Sequence, residues 1–384
     1  MKPVIAHINS QYFALSETFM YFYLSSFRRT HPICLSQLPF INRDLFPFPA
    51  SDSYETAIPM RHLWRWFEAG LLRRLAGRRI LAERILRKRK ALLIHAHYGP
   101  VGWWALSVKK RLDLPLVTNF YGFDVAPEIE EEGPEWPRRR RQLFEEGDLF
   151  LVEGPHMARR LVELGCPSDK VQLQHIAIKV REIPFRPRKP KPRGKVAILF
   201  AGRFYEKKGL SYALEAVNIT IGKGRDIEFR LIGDGPLMPD VQRYVKEHRL
   251  DSYVRLLGLR NYGEYLKELH HADVFLHPSV TAANGDSEGG APTTILEAQA
   301  SGVPILSTHH ADIPYVVVPD KSALLVAERD SDALAEALLL LLDHQEAWEE
   351  MGRAGRAHVE AHHDVGLEVE ALENKYFTLL GEPS

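Results

Sequence analysis

The chain has 384 residues, 45% of them hydrophobic, with 50 Lys+Arg against 50 Asp+Glu. This length exceeds one ordinary core and predicts two domains. The balanced charge excludes a basic nucleic-acid-binding protein and a disordered acidic tail.

The amino end, MKPVIAHINSQ, reads as a strand without a signal-peptide pattern. SETFMYFYLSSFRR follows with helical spacing. Cys34 and Cys166 are far apart, fit no metal or redox spacing, and point to a reducing compartment. Between Met60 and Lys90 eleven Arg or Lys face only Glu68 and Glu83, and Trp64, Trp66, Phe67, Leu71, Leu72 and Leu75 recur at roughly helical spacing. Such a basic amphipathic helix suits an anionic membrane surface, or a packed helix pair with a solvated basic face. ALLIHAHY, GWWALSVKKRLD, LPLVTNFYG, DLFLVEG and HMARRLVELG then alternate strand and helix, the mark of βαβ units and a parallel sheet.

REIPFRPRKPKPRGK, residues 181–195, has proline and base without apolar periodicity, and its second part, 186–195, is expected to link the domains. The alternation restarts with KVAILFAGR and continues through IEFRLIGDG, VRLLG, DVFLHPS and VPILST. The expected organisation is a first domain over 1–185, a second over 196–364, and a terminal helix over about 365–384 able to pack back on the first. No apolar run is long enough to cross a bilayer, so a cytoplasmic protein is expected, possible contact of the 60–90 segment with the inner membrane face apart.

The strand VAILFAGR exits at Arg203, and Lys208 follows in FYEKKG, where parallel sheets receive anionic ligands. Arg203 can fork onto two phosphate oxygens and Lys208 can act as a mobile point charge. LIGDGP places Gly233 and Gly235 at another strand exit, where backbone could approach a ligand. In GDSEGGAPTTILEAQASGVPILST, residues 285–308, Pro292 suits the first turn of a helix and Gly302 its stop. The amino end of that helix offers amides and a positive dipole end, reached through a glycine turn at Gly289 and Gly290. Thr293 at the helix start and Arg260 after VRLLG complete the donor-side set. Two carboxylates, Glu288 and Glu297, beside a diphosphate-sized site ask for hydroxyls to bind, which a nucleotide diphosphate sugar supplies.

FAGRFYEKKG, LIGDGPL, ADVFLHPS and EGGAPTTILEAQASGVPILSTHHADIP resemble retaining glycosyltransferases of family 4, and SETF and HAHYG resemble their acceptor half, as in exopolysaccharide and cell-envelope enzymes. The resemblance implies an α/β fold of the GT-B type, two Rossmann-like domains with parallel sheets facing across a cleft. It implies Glu297 on the ribose hydroxyls, Glu288 on the donor sugar, and Arg203 and Lys208 on the diphosphate. It further implies a hydroxyl acceptor on a glycan or lipid-linked intermediate, no metal cofactor and no nucleic-acid partner. Ser16, Glu17, His97, Tyr121 and Asp124 are its acceptor-side candidates. Two departures stand out: eight residues separate Glu288 from Glu297 where relatives have seven, and Tyr121 stands where relatives carry histidine.

Three competing readings share parts of this pattern. An epimerase or phosphorylase would use the same layout, and a non-catalytic sugar-nucleotide-binding protein the same site. A dinucleotide oxidoreductase lacks its G-x-G-x-x-G turn after the first strand. Asp330-Ser331-Asp332 precedes an apolar helix and reads as a helix cap rather than a metal motif. The His309-His310 and His362-His363 pairs have no third ligand at zinc-like spacing.

Overall fold

A computed structural model describes residues 2–15, 17–56, 70–125, 130–191, 193–290 and 292–381. In chain order the first half runs β1 (Val4–Asn9), α1 (Thr18–Leu24), β2 (His31–Ser36), β3 (Ser53–Glu55), α2 (Gly70–Arg89), β4 (Ala91–His97), α3 (Gly99–Leu112), β5 (Leu116–Asn119), α4 (Trp136–Glu146), β6 (Leu149–Val152), α5 (Pro155–Glu163) and β7 (Val171–Leu173). It continues with β8 (Val196–Ala201), α6 (Leu210–Gly222), β9 (Ile227–Ile232), α7 (Met238–Glu247), β10 (Val254–Gly258), α8 (Tyr262–His271), β11 (Val274–His277) and α9 (Thr293–Ser301). The remaining elements are β12 (Ile305–Thr308), α10 (Ile313–Val316), β13 (Ala323–Val326), α11 (Ser331–Asp343), α12 (Trp348–His362) and α13 (Val365–Leu379).

Two compact units result. The first comprises Met1–Glu153, Ala158–His175 and Val365–Ser384, the second Gly154–Met157 and Ile176–Asp364. In the first unit all neighbouring strands are parallel in the order β3-β2-β1-β4-β5-β6-β7. The second holds a parallel sheet ordered β10-β9-β8-β11-β12-β13. Each sheet therefore reverses direction of growth once, between β1 and β4 and between β8 and β11. Such switch points open a crevice at the carboxyl ends of the strands.

Strands buried on both faces explain the continuous apolar runs in the sequence. Every residue of β8 is buried, with Ile198 and Phe200 in one core and Leu199 and Ala201 in the other. Alternate side chains of a strand point to opposite faces, so one strand serves both layers. In the first unit Ile5, Leu93, Val117, Leu149 and Leu151 pack against Leu372 and Tyr376 of α13.

Local chemistry sets the helix ends. Asn261 and Glu264 form a reciprocal capping box on α8. Asp330 Oδ1 accepts from the Ala333 amide at 2.8 Å, so the Asp-x-Asp stretch caps α11. α9 stops at Gly302, whose φ of 81° is the left-handed conformation glycine adopts without strain.

The segment expected as a linker lies along the second unit. Arg188 is buried there, donating from Nε to Ala272 O at 2.7 Å, from Nη1 to Ser301 O at 2.8 Å and from Nη2 to Leu269 O at 2.6 Å. These carbonyls close the carboxyl ends of α8 and α9, where a cation meets the negative dipole end. Its proline-rich sequence thus acts as a strap rather than a free tether.

Of the basic 60–90 segment, Trp64, Trp66 and Phe67 lie outside the described residues. Within α2, Arg89 is paired with Asp52 at 2.5 Å, and Glu83 receives Arg111 at 2.8 Å. Among the described residues no helix is long and apolar enough to cross a membrane.

Candidate active site

The switch point of the second sheet gathers charge. β8 ends at Ala201, and the turn Glu206–Lys208 delivers two lysines toward the loop after β11. Lys208 Nζ donates to Glu288 Oε2 at 2.7 Å, and Ser279 Oγ donates to Glu288 Oε1 at 2.8 Å. Lys207, also buried, donates to Asp286 Oδ1 and to the Ser287 carbonyl, both at 2.9 Å. Arg203 is exposed, its guanidinium 5.3 Å from the centre of the Tyr205 ring, and close enough to Lys208 to disfavour the ammonium.

Electrostatics keep this pair ionised. Burial alone would raise the Glu288 carboxyl, but the Lys208 ammonium holds it well below the usual range. Burial lowers Lys208 from its ordinary value, with Glu288 acting in the opposite direction. His277 is stacked against Phe200 and Phe275, fully buried, with Nε2 3.6 Å from Glu288 Oε1, which is too long for a hydrogen bond. Burial keeps that ring below its usual pKa, and neither ring nitrogen has a hydrogen-bond partner among the described residues.

The glycine turn is shaped as the ligand reading requires. Gly289 has φ 75°, and its amide donates to Ser287 Oγ at 3.2 Å. Pro292 sits one residue before the first turn, as the cap of α9, and supplies no side-chain acceptor to the helix amides. Thr293 opens the helix half-buried, and Thr294 Oγ1 is buried without a partner among the described residues.

Not every donor-side candidate joins this cluster. Glu297 is 2% exposed, its carboxyl enclosed with the Tyr265 and Tyr262 hydroxyls, and burial pushes its pKa up to about 8 against the opposing pull of those two hydroxyls. Arg260 is exposed and donates to the adjacent Leu259 carbonyl at 3.2 Å. Gly233, with φ 141°, makes its close approach to protein rather than offering it to a ligand. A Cβ there would fall 1.9 Å from the Gly202 carbonyl oxygen, so the β8 and β9 exits interlock.

The first unit builds a different cluster at its own switch point. His7 on β1 and His95 and His97 on β4 are buried with ring centroids 4.6–5.4 Å apart. His95 Nε2 meets Asn119 Oδ1 at 2.7 Å, so Nε2 carries the proton and Nδ1 accepts from the Tyr376 hydroxyl. His7 Nδ1 and His97 Nε2 are 3.2 Å apart, and His97 Nδ1 meets the Tyr121 hydroxyl at 2.8 Å. Burial lowers all three pKa values, so the rings are neutral.

One nitrogen from each ring lies within 4.8 Å of the others, which raises the question of a metal. Metal-bound imidazoles aim in-plane lone pairs at one point about 2.0–2.1 Å away. Here the planes are inclined by only 19°, 20° and 36°, and both His95 nitrogens are already engaged. Stacked rings direct their lone pairs side by side, so the trio fits a hydrogen-bonded stack and not a cation site.

Around it, Asp124 accepts from the Gly99 amide at 2.9 Å and the Tyr121 amide at 2.8 Å, tying the β5 exit to the start of α3. Burial raises its pKa to about 6 in spite of these amides. Glu17 Oε1 accepts from the Tyr98 hydroxyl at 2.8 Å, and Tyr98 itself has φ 75°, a strained value for a side-chain-bearing residue. Ser16 lies outside the described residues.

Sequence reasoning passed over Lys207, His277, Ser279, His7, Tyr262 and Tyr265. His277 and Ser279 had a signal, since they end the strand ADVFLHPS. The tyrosines had none, because their partner lies on another helix.

A two-unit α/β fold with parallel sheets and a cationic cluster at a strand-exit switch point defines a GT-B type protein. Two family models match: a glycosyl transferase 4-like domain over residues 43–177, and glycosyl transferases group 1 over 195–344. The chain belongs to this glycosyltransferase family.

The putative colanic acid biosynthesis glycosyltransferase WcaL of Escherichia coli is 35% identical over 63% of this chain and 59% of its own length. The amylovoran biosynthesis glycosyltransferase AmsK of Erwinia amylovora is 34% identical over 65% of this chain and 61% of its own length. The matched stretch thus spans about three fifths of these relatives. In fold the chain is similar to HepE of Anabaena solved with UDP and glucose, at a TM-score of 0.78 and 13% identity over 98% of this chain and 99% of that one. A glycosyltransferase from Rickettsia africae superposes with a TM-score of 0.77 and 14% identity over 99% of each chain.

Proposed function

We propose that the chain is a metal-independent, retaining glycosyltransferase that moves a sugar from a nucleotide diphosphate sugar to a hydroxyl of a glycan or lipid-linked acceptor. The observation carrying this reading is the largely enclosed Lys208–Glu288 pair, with Arg203 beside it, at the exits of β8 and β11. Relatives named for colanic acid and amylovoran biosynthesis, and a fold neighbour solved with UDP and glucose, support it.

In the reaction the bond from the anomeric carbon to the diphosphate oxygen breaks, and its electron pair leaves on that oxygen. The acceptor oxygen bonds to the same face, and its proton passes to the leaving phosphate. Negative charge grows on the diphosphate, so preorganised cations and amides stabilise the transition state more than the ground state. Arg203, Lys208 and the first amides of α9 do this, while Glu288, kept ionised by Lys208, accepts hydrogen bonds from donor-sugar hydroxyls. Glu297 takes the ribose hydroxyls.

Thermal-shift measurements with UDP, GDP, ADP and their glucose conjugates test the reading, because a ligand of the folded state raises the melting point. Transfer or hydrolysis of the stabilising donor follows. No shift with any of them sinks the proposal. Excess chelator is expected to leave turnover unchanged; activity that vanishes and returns with divalent ions would contradict metal independence.

Residues 60–90 are proposed to touch an anionic membrane surface from the cytoplasmic side. Co-sedimentation with phosphatidylserine vesicles is expected at low salt and lost at high salt; no sedimentation at low salt dismisses it.

A further inference from the structure

The loop joining β11 to α9 carries Glu288, and its anchors are of two kinds. The carboxylate is held by Lys208 and Ser279. The backbone is held by Lys207 at the Ser287 carbonyl and also from elsewhere: the Glu288 amide donates to His310 Nε2 at 3.1 Å, and His310 Nδ1 lies 2.7 Å from Glu328 Oε1. The other oxygen of Glu328 accepts from the Thr281 amide at 2.8 Å, near the start of the same loop. One carboxylate, at the carboxyl end of β13, thus grips both ends of the loop, one directly and one through a buried imidazole.

We propose that His310 and Glu328 form a positioning couple that fixes Glu288 by its backbone, independently of Lys208. The chemistry sets the tautomer. A ring nitrogen that accepts from an amide carries a lone pair, so the proton of neutral His310 is on Nδ1 and is donated to Glu328. A diphosphate drawn to Lys208 competes with Glu288 for the ammonium, which weakens the side-chain anchor just when the donor sugar has to be held. The two ring hydrogen bonds of the imidazole strut go to the Glu288 amide and Glu328, not to Lys208 or Arg203, and are kept through that exchange. Neither residue is a catalytic group; each acts on the donor through the position of Glu288.

Three measurements on the full-length chain test the couple, and only the turnover measurement rests on the donor-site reading above. Nitrogen-15 histidine spectra of the ligand-free protein are expected to show His310 protonated on Nδ1 and bare on Nε2. Amide exchange in peptides covering 280–290 is expected to speed up at least tenfold in His310→Phe, with the β8 strand unchanged. His310→Gln, whose side-chain carbonyl can accept the Glu288 amide, is expected to restore slow exchange.

In hydrolysis of UDP-, GDP- or ADP-glucose, His310→Phe is expected to lower kcat by roughly 10–100-fold with KM changed by less than about threefold, since small misplacements of a positioning group cost this much. His310→Gln should recover most of it. A proton on Nε2, or loop exchange and kcat in His310→Phe equal to wild type, overturns the proposal. Should His310→Phe fail to fold, the wild-type tautomer decides. If no donor is consumed, the donor reading fails, while tautomer and exchange still decide the couple.

Discussion

Lys208→Ala is expected to lower turnover by about 10²–10³-fold and folding stability by roughly 3–5 kcal/mol. Both losses come from one contact. Lys208 and Glu288 are enclosed, with side-chain exposures of 12% and 6%. Removing the ammonium leaves a carboxylate in a site where burial pushes against its charge, with the Ser279 hydroxyl bonded to it and Lys207, already committed to Asp286, the nearest remaining cation acting on it. Breaking one side of a buried pair costs far more than replacing both sides with apolar groups, which is often neutral or stabilising. The double variant Lys208→Met with Glu288→Leu is therefore expected to regain most of the stability and none of the turnover. Arg203→Ala, at an exposed position, should lower turnover without a stability loss. Urea unfolding at neutral pH and donor hydrolysis read these effects; a Lys208→Ala protein as stable as wild type would show that the pair is solvated.

Glu297→Gln is expected to remove a pH-dependent loss of stability. The carboxyl ordinarily titrates near 4.5, and burial raises it to about 8 in the folded chain. Below about pH 4.5 it is protonated whether the chain is folded or not, and its contribution is complete. Between those values the unfolded chain ionises while the folded chain keeps its proton, so stability falls as pH rises and levels out above about 8. A gap of this size corresponds to on the order of 5 kcal/mol. The stability difference between variant and wild type should therefore move in favour of glutamine from pH 5 to pH 8.5, as followed by denaturant midpoints; a pH-independent difference would contradict it.

The same carboxyl predicts a proton-linked ligand. If Glu297 takes the ribose hydroxyls as proposed, their donation favours the ionised form, so binding of the nucleotide diphosphate that raises the melting point is expected to release a proton at pH 7. Titration calorimetry in buffers of different ionisation enthalpy detects this for wild type and not for Glu297→Gln.

What could be read from residues alone follows the range of each interaction. Buried parallel strands appear as apolar runs, so VAILFA and VFLH located the exits that bear Arg203 and Ser279. Gly302 marked a helix end through a purely local conformational need. Pro292 was off by one position, at the cap instead of the first turn, because proline tolerates both.

Between Lys207 and Lys208 no periodicity could choose, since a three-residue turn has no repeat. Its two lysines reach different acids, Asp286 and Glu288. His7 finds His97 across 90 positions, and His310 finds Glu328 across 18. Such pairings exist only once the sheets have aligned their strand ends. Arg188 was hidden for a similar reason: its partners are backbone carbonyls of α8 and α9, which carry no side-chain signature.

The last helix, α13, also decides the timetable of synthesis. Leu372 and Tyr376 complete the apolar layer over Ile5, Leu93 and Val117, so a sheet whose strands are made early stays uncovered until the ribosome has passed Tyr376. The other unit extends only to Asp364, so all of its own residues are available earlier. Translation therefore finishes the later-encoded half before the earlier one, and a stalled or truncated nascent chain leaves its oldest strands exposed to chaperones.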